Sequence, residues 1–512
     1  MKEKFYITTP IYYPSSNFHI GHCYTTIIAD AISRYKRMTG YDVFFLTGTD
    51  EHGQKIQKKA MEAGKTPQQY VDEIVLNAID LWKSLGISYD GFIRTTDKQH
   101  EEIVAKIFQK LYDKGDIYKD SYKGLYCTPC ESFWTESQLI EGKCPDCGRE
   151  VSIVSEDAYF FKLSKYQAQL EKYLEENPNF IEPISRKNEM INNFLKPGLE
   201  DLCVSRSTFD WGVKVPFDDK HVVYVWLDAL TNYITALGYM TENETKFNQY
   251  WPADIHLVGK EIVRFHTIIC TIILMALDLP LPKKVFGHGW LVIDGGKISK
   301  SKGNYKDPRE YIEEYGVDAV RYFVLREVPF GSDGNFSENA LIDRTNSDLA
   351  NTLGNLVNRT IGMTNKYFDG IVNNTNISEN VDEELIDYAR SLNRIVEEKM
   401  NDLKVSEAIE AIIELFRKCN KYIDLTEPWI LAKNDEQKER LSTVLYNLIE
   451  SIRIGAILLQ AFIPETSKKI LSQINAEDIK YEDAKVFGKY KNGTKLNKAE
   501  ILFARIEKKE QE

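Results

Sequence analysis

The chain has no excess of positive charge: 65 Lys and Arg stand against 77 Asp and Glu, a formal net charge of −12. That balance argues against indiscriminate nucleic-acid binding, while leaving room for local basic surface and single-stranded readout. Long apolar runs are also missing. The longest, Ile268 to Leu277, is too short for a bilayer span and reads as a buried helix. No leader-like stretch precedes the first strand pattern, and no internal repeat is visible. Without an export signal, the eight cysteines imply a reducing compartment, so metal binding is weighed before disulfides. These absences predict a cytoplasmic protein with no membrane partner. The 512 residues leave room for roughly three or four domains.

What is present begins with Phe5-Tyr6-Ile7-Thr8-Thr9-Pro10. Phe5 to Thr9 reads as a strand, and Pro10, Pro14, Ser15, Ser16 and Asn17 break it into a loop. Tyr24, Ile27, Ile28, Ala31, Ile32 and Tyr35 keep a 3.6 period, predicting a helix from Ile20 to Arg37 that Gly40 ends. His19-Ile20-Gly21-His22 therefore falls where a strand hands over to a helix. Free N–H groups and the helix dipole favour phosphate there, and Gly21 lets a nucleotide approach the backbone. Two imidazoles can donate to a triphosphate as charge builds on it; simple helix capping explains the same pair. Tyr41 to Thr47 predicts a second strand, reached by a right-handed crossover. It runs into Gly48-Thr49-Asp50-Glu51-His52-Gly53, where Asp50 suits either a substrate ammonium or a helix N-cap. Helices over 56–62, 67–85 and 101–112 and a strand over 92–94 follow.

Two further motifs stand out. Cys127-Thr128-Pro129-Cys130 and Cys144-Pro145-Asp146-Cys147 place paired thiolates on two tight turns, the spacing of a four-coordinate zinc. Two disulfides or four unrelated thiols are the alternatives. With no vacant ligand position the predicted zinc is structural. Cys23, Cys203, Cys270 and Cys419 lie in apolar settings and read as packing residues. Far downstream, Asp294-Gly295-Gly296 signals a turn after a short strand, Leu291 to Ile293. Lys297-Ile298-Ser299-Lys300-Ser301-Lys302 follows, a lysine-rich loop suited to clamping polyphosphate or simply to facing solvent.

Together, in this order, the His-Ile-Gly-His turn and the Lys-Ile-Ser-Lys-Ser loop resemble the paired signatures of the class I aminoacyl-tRNA synthetases. The flanking residues, from about Lys4 to about Lys433, resemble the methionyl-tRNA synthetases within that class. The resemblance implies a Rossmann-type doubly wound parallel sheet, a connective insertion holding one zinc knuckle, and an all-α bundle. The expected divisions are 1–115 and 216–290 for the two catalytic halves, 116–215 for the insertion, and 291–337 for the lysine loop and stem-contact region. A bundle over 338–475 and a tail over 476–512 complete the chain. His221 to Val225 is expected to reopen the sheet, with Asp254 to Val258 as the next strand.

By the same resemblance, His19, His22, Lys297 and Lys300 are catalytic, and they bind ATP together with Gly21, His288 and Ser299. Asp50 binds the amino group of methionine, and Ile11, Tyr13, Trp226, Tyr233 and His266 form the side-chain pocket. An aromatic wall suits a thioether; without the resemblance Trp226, Tyr233 and His266 would read as core. The chain departs from the family pattern at Leu230, where many members have proline, and at Pro10, where some have alanine.

In the bundle, Ile409, Ile412, Ile413, Phe416 and Ile423 keep a helical period, as do Leu441, Val444, Leu445, Leu448 and Ile452. Asn355, Arg359 and Trp429 match residues that read the CAU anticodon in the family, with core packing as the alternative for the tryptophan. The insertion is too short for the editing pocket of the leucine, isoleucine and valine enzymes. The expected activity is thus methionine–tRNA ligation, with ATP, L-methionine and tRNA(Met) as partners, Mg²⁺ accompanying ATP, and a monomer, since no appended oligonucleotide-binding domain is seen. Another class I synthetase, a nucleotidyltransferase sharing the His-x-Gly-His turn, and a non-catalytic zinc RNA-binding protein are the rivals.

Overall fold

The computed structural model describes residues 2–130, 132–134, 136–293, 306–328 and 331–507. They group into two compact units. One comprises residues 1–18, 42–83 and 88–290; the other comprises 19–41, 84–87 and 291–512. The helix that begins with the His-Ile-Gly-His turn therefore groups with the C-terminal half of the chain.

The first unit is built on a six-stranded sheet in the order Gly91–Arg94, Asp42–Thr49, Lys4–Tyr12, Ile255–Gly259, Val285–His288, Ile181–Glu182. Every neighbouring pair is parallel. From Lys4–Tyr12 the chain first adds strands on one side and later on the other, so the order reverses between Lys4–Tyr12 and Ile255–Gly259. Open parallel sheets bind ligands at such a switch point, beyond the carboxyl ends of the strands. The buried run from Phe5 to Pro10 suits a strand covered on both faces. Helix Lys98–Asp113 covers part of the sheet through Ile103, Val104, Ile107, Phe108 and Leu111, which share a core with Phe44, Leu46 and Ile93. Each such side chain contributes about 1.5–3 kcal/mol by leaving water. The register of Lys4–Tyr12 against Asp42–Thr49 shifts between Thr8 and Ile11. Pro10 lies in that interval and has no N–H to give the ladder.

Two strands differ from the sequence expectation. Residues His221 to Val225 do not reopen the large sheet. The observed strand, Asp218–Val223, pairs antiparallel with Ser205–Arg206 and Lys214–Val215 in a separate three-stranded sheet. A short apolar run carries no signal for which sheet it joins. Conversely, Ile181–Glu182, from within the stretch read as the insertion, supplies the sixth strand of the large sheet. The rest of that stretch includes a four-stranded antiparallel sheet of Ser132–Trp134, Ile117–Cys127, Ser152–Phe161 and Leu202–Cys203.

The second unit is mainly helical. Its first helix, Ile20–Met38, is followed in the chain by Pro308–Tyr315 and Val317–Glu327, and later by Asn355–Phe368, Asn380–Asn401, Val405–Thr426 and Lys438–Leu459. The periodic residues of the last two are buried, as their spacing requires. Gly455 permits this packing, because a Cβ there would stand 2.5 Å from the Phe416 ring. A buried ion pair, Arg321 Nη2 to Asp30 Oδ2 at 2.7 Å, ties the first helix to Val317–Glu327. The tail is anchored too: the Glu450 carboxylate accepts the N–H groups of Gly488, Lys489 and Tyr490 while pairing with Arg453. One helix contradicts the expectation that no segment is long and apolar enough to span a bilayer. Asp435–Leu459 passes by length and composition, and its apolar window is wholly buried within the protein.

Candidate active site and metal cluster

The carboxyl ends of the central strands bring together residues that are distant in sequence. Gly48 opens the loop that carries Asp50; a Cβ on it would lie 2.0 Å from the Ile93 carbonyl oxygen, so only glycine fits. Asp50 is buried, and its N–H donates to the Tyr12 carbonyl at 3.0 Å. Its neighbour Glu51 is held by Arg94 through two hydrogen bonds of 2.7 and 2.8 Å, and by the Thr96 hydroxyl at 2.7 Å. A buried carboxylate requires such partners, and they also lock the Asp50 backbone in place.

The aromatic residues form a second group. Tyr233 Oη and His266 Nε2 are 2.6 Å apart, and His266 Nδ1 lies 2.9 Å from the Ile262 carbonyl. The carbonyl can only accept, so Nδ1 carries the proton and Nε2 accepts from the Tyr233 hydroxyl. Burial pushes the His266 pKa down to about 4, against the opposing effect of the Ile262 carbonyl, so the ring is neutral. Burial likewise pushes the Tyr233 hydroxyl well above its usual range, and Cys270, then Tyr12 and Asp50, add to the shift. His256, hydrogen-bonded to Thr8 Oγ1 at 2.7 Å, packs its ring 4.3 Å from that of Tyr233. Trp226 stacks on Phe265 at 3.6 Å with the planes 8° apart. Ile11 and Trp226 are half-buried against the same core. Tyr13, in the loop after the first strand, lies beneath the Lys55 ammonium at 5.2 Å. His288 ends the strand Val285–His288, with Nδ1 2.7 Å from the Gly289 carbonyl and its pKa lowered by burial.

In the second unit, His19 is the N-cap of helix Ile20–Met38. Its Nδ1 accepts from the Gly21 N–H at 3.1 Å, while the His19 N–H donates to His22 Nδ1 at 3.0 Å. The capping alternative is therefore realised. Capping also fixes the chemistry, because two accepting Nδ1 atoms place the proton of each neutral imidazole on Nε2. Lys297, Ser299 and Lys300 lie outside the described residues.

The four cysteines of the paired motif converge. Their Sγ atoms all lie within 4.8 Å of one another, Cys127 to Cys147 at 3.6 Å and Cys144 to Cys130 at 3.9 Å. A disulfide needs about 2.05 Å. A tetrahedron with Zn–S bonds of about 2.3 Å has edges of about 3.8 Å, so the cluster fits a four-thiolate zinc site. Sequence reading missed the residue that backs it. The half-buried Arg264 guanidinium lies 4.7 Å from the Trp134 ring, 5.1 Å from Phe194 and 4.7 Å from Phe265, the ring stacked on Trp226. Burial lowers its pKa, opposed by Asp146, Tyr224 and Cys144. Trp134 packs against Cys127 and Cys144, so through that ring the cation links the cluster to the aromatic wall.

Asn355, Arg359 and Trp429 are all exposed in the second unit. Trp429 has 39% of its surface accessible, which disfavours the packing alternative. Arg359 Nη2 stands 4.0 Å from Asp424 Oδ1, near the end of Val405–Thr426 and a short way along the chain from Trp429. Leu425 and Ile430 are exposed beside it, a cluster the sequence reading did not single out.

Comparison with known proteins agrees with this layout. The family model described as tRNA synthetases class I (M) matches residues 5–156 and 148–361, and the anticodon binding domain of methionyl tRNA ligase matches 372–512. The methionine–tRNA ligase of Caldanaerobacter subterraneus subsp. tengcongensis is 64% identical over 508 residues, covering 99% of this chain and 80% of that protein. That of Bacillus subtilis is 55% identical over 523 residues, covering 99% and 78%. The solved structure of Mycobacterium tuberculosis methionyl-tRNA synthetase in complex with methionyl-adenylate superposes with a TM-score of 0.92 at 40% identity, covering 98% of this chain and 99% of that one. The apo form of that enzyme gives 0.85 at 37% identity, covering 99% of each. With a parallel-sheet crevice, a four-cysteine cluster, an exposed tryptophan surface and similarities that span nearly all of its residues, this chain belongs to the methionine–tRNA ligase family of class I tRNA synthetases.

Proposed function

We propose that the protein activates methionine with ATP and transfers the methionyl group to tRNA(Met). The methionine carboxylate attacks the α-phosphorus of ATP, forming methionyl-adenylate and expelling pyrophosphate. A hydroxyl of the 3′-terminal adenosine then attacks the acyl carbon, giving methionyl-tRNA and AMP. No protein nucleophile is needed; the chain orients the reactants and stabilises charge on the pentavalent phosphorus.

The observation that carries the amino-acid assignment is the Tyr233–His266 pair beside the stacked Trp226 and Phe265 at the sheet's switch point. Neutral, hydrogen-bonded rings offer an apolar wall and soft contacts to a thioether. In this reading Asp50 accepts from the methionine ammonium, and Ile11 and Tyr13 close the side-chain pocket. His19 and His22 donate from Nε2 to the triphosphate, Gly21 lets it approach, and Lys297, Ser299 and Lys300 close over it. His288 lies against the adenosine, and Mg²⁺ arrives with ATP. Cys127, Cys130, Cys144 and Cys147 hold a structural zinc that orders their two turns. Asn355, Arg359 and Trp429 read the anticodon. Activation and tRNA-reading residues reside on one chain, so a monomer acting in the cytoplasm suffices. Amino-acid-dependent ATP–pyrophosphate exchange across the twenty amino acids tests the reading. Exchange with methionine far above leucine, isoleucine, valine and cysteine is expected; preference for any of those four refutes it.

A further inference from the structure

Asp228 is fully buried, and both of its oxygens are engaged by imidazoles. His52 Nδ1 lies 2.7 Å from Oδ2, and His100 Nε2 lies 2.7 Å from Oδ1. A carboxylate taken from water at this depth is costly unless paired, and breaking one partner of such a group exposes the full cost. Burial alone would lower the His52 pKa, but Asp228 and then Glu101, whose Oε1 is 3.4 Å from Nε2, raise it to about 10. The ring is therefore an imidazolium between two carboxylates. Asp228 in turn is held down at about 2, against the penalty of burial, by His52 and His100.

The three residues belong to segments far apart in the chain; those of His52 and Asp228 each carry a wall of the proposed pocket, and His100, on helix Lys98–Asp113, reaches a third. His52 follows Asp50 by two positions in the loop after the second strand. That loop has a second fastening, since Trp211 Nε1 donates to the Glu51 carbonyl at 2.7 Å and the Gly53 N–H donates to the Trp211 carbonyl at 3.1 Å. Asp228 lies on helix Val225–Leu230, two positions after Trp226. His100 reaches through its other nitrogen to Thr235 Oγ1 at 2.7 Å, on the short helix Asn232–Thr235 that carries Tyr233. One buried carboxylate thus links the ammonium-binding loop, the stacked indole and the tyrosine, and all three linking residues are themselves buried.

We infer that Asp228, with His52 and His100, is a positioning centre that sets Asp50, Trp226 and Tyr233 in register for the amino acid, and so controls methionine affinity rather than ATP affinity. The inference rests on the pocket reading above. It is tested on the whole 512-residue chain by pyrophosphate exchange with methionine and ATP varied separately, alongside thermal melting, for His52→Ala, His52→Gln and Asp228→Asn. Losing a hydrogen bond to a charged group predicts a rise of about tenfold or more in KM for methionine in His52→Ala. KM for ATP should hold steady, and His52→Gln, whose amide still donates to Asp228, should recover most of the loss. Asp228→Asn should behave like His52→Ala if it melts cooperatively; if it does not fold, the two His52 variants decide. An unmoved methionine KM in a folded His52→Ala, equal rises for both substrates, or no recovery with glutamine overturns the inference while wild-type exchange upholds the pocket. Wild-type enzyme without methionine-dependent exchange overturns both.

Discussion

The two units bury charge for different ends. In the sheet unit, buried titratable groups crowd the crevice: Asp228 between two imidazoles, Glu51 under Arg94, His266 against Tyr233. They surround the residues proposed to meet substrate, so substituting one should disturb folding and chemistry together. In the helical unit, buried pairs such as Arg440–Asp382 and Glu450–Arg453 join helices and loops that bear no proposed ligand contact. Its proposed recognition residues sit on the outside, where Trp429 and Arg359 are exposed. A solvent-facing reader of single-stranded RNA needs accessible rings and guanidinium groups; a pocket that selects a small apolar side chain needs enclosure. Function and stability should therefore be coupled in the first unit and separable in the second.

The strongest test of coupling is Cys127→Ala. Structural zinc contributes on the order of 10–16 kcal/mol of binding free energy in small zinc folds, and losing one of four thiolates should abolish tight binding. Elemental analysis should fall from one zinc per chain towards none, with a lower melting temperature. Exchange activity should fall with it, because Arg264 packs between the cluster's Trp134 and the Phe265 that stacks on Trp226. Metal-free, fully active protein would break the comparison.

A purely chemical loss supplies the contrast. If Lys300 stabilises charge on the triphosphate in the transition state, Lys300→Ala should lower kcat for activation by roughly 3–4 kcal/mol, a factor of hundreds to a thousand. Methionine affinity and the melting curve should stay as they were. An unchanged rate would make the lysines a solvated loop.

The helical unit gives the separable case. Trp429→Ala should cost about 1–3 kcal/mol in tRNA-dependent kcat/KM, the range for one lost base stack. Exchange and melting should match wild type. A drop of roughly 3–5 kcal/mol in stability, as for truncating a core tryptophan, would show instead that the ring packs.

What the sequence made legible divides along a similar line. The bundle cores and the cysteine cluster rest on local spacing, a 3.6 period and two C-x₂-C turns, and both appear as read. The first strand, first helix and second strand also fall where propensity and breakers put them, with ends shifted by a few residues. Contacts without a local pattern were not legible. Tyr233 and His266 are 33 positions apart and His52 and Asp228 are 176 apart, and no periodicity announces either pair. Arg264 reads in sequence as an ordinary charged residue, and only the fold surrounds it with three aromatic rings. A two-residue strand such as Ile181–Glu182 is too short to carry any signal. The apolar window ending in Leu459 does not read as a run, because Asn447, Glu450 and Arg453 interrupt it.

The finest test of coupling uses pH and expects the smallest effect. His52 has a folded pKa of about 10 against an ordinary value of 6.5, raised by Asp228 and Glu101 despite burial. A raised pKa means the folded state holds the proton more tightly. The stabilisation is complete below about 6.5 and disappears as pH climbs through about 10. Asp228 has the opposite sign: its pKa falls from 3.8 to about 2, so its contribution is present above 3.8 and lost as pH drops through 2. The pair therefore stabilises most between these limits, and stability should decline from pH 6.5 towards 10. Denaturant unfolding at pH 6.5 and at pH 9.5 should show that decline in wild type and a smaller one in His52→Gln, which has nothing to titrate there. Across the same interval, KM for methionine should move little, because the neutral ring still donates from Nδ1 to Asp228, as the glutamine amide does. Equal alkaline losses of stability in both proteins would place the titrating group elsewhere and uncouple the first unit's folding from its pocket.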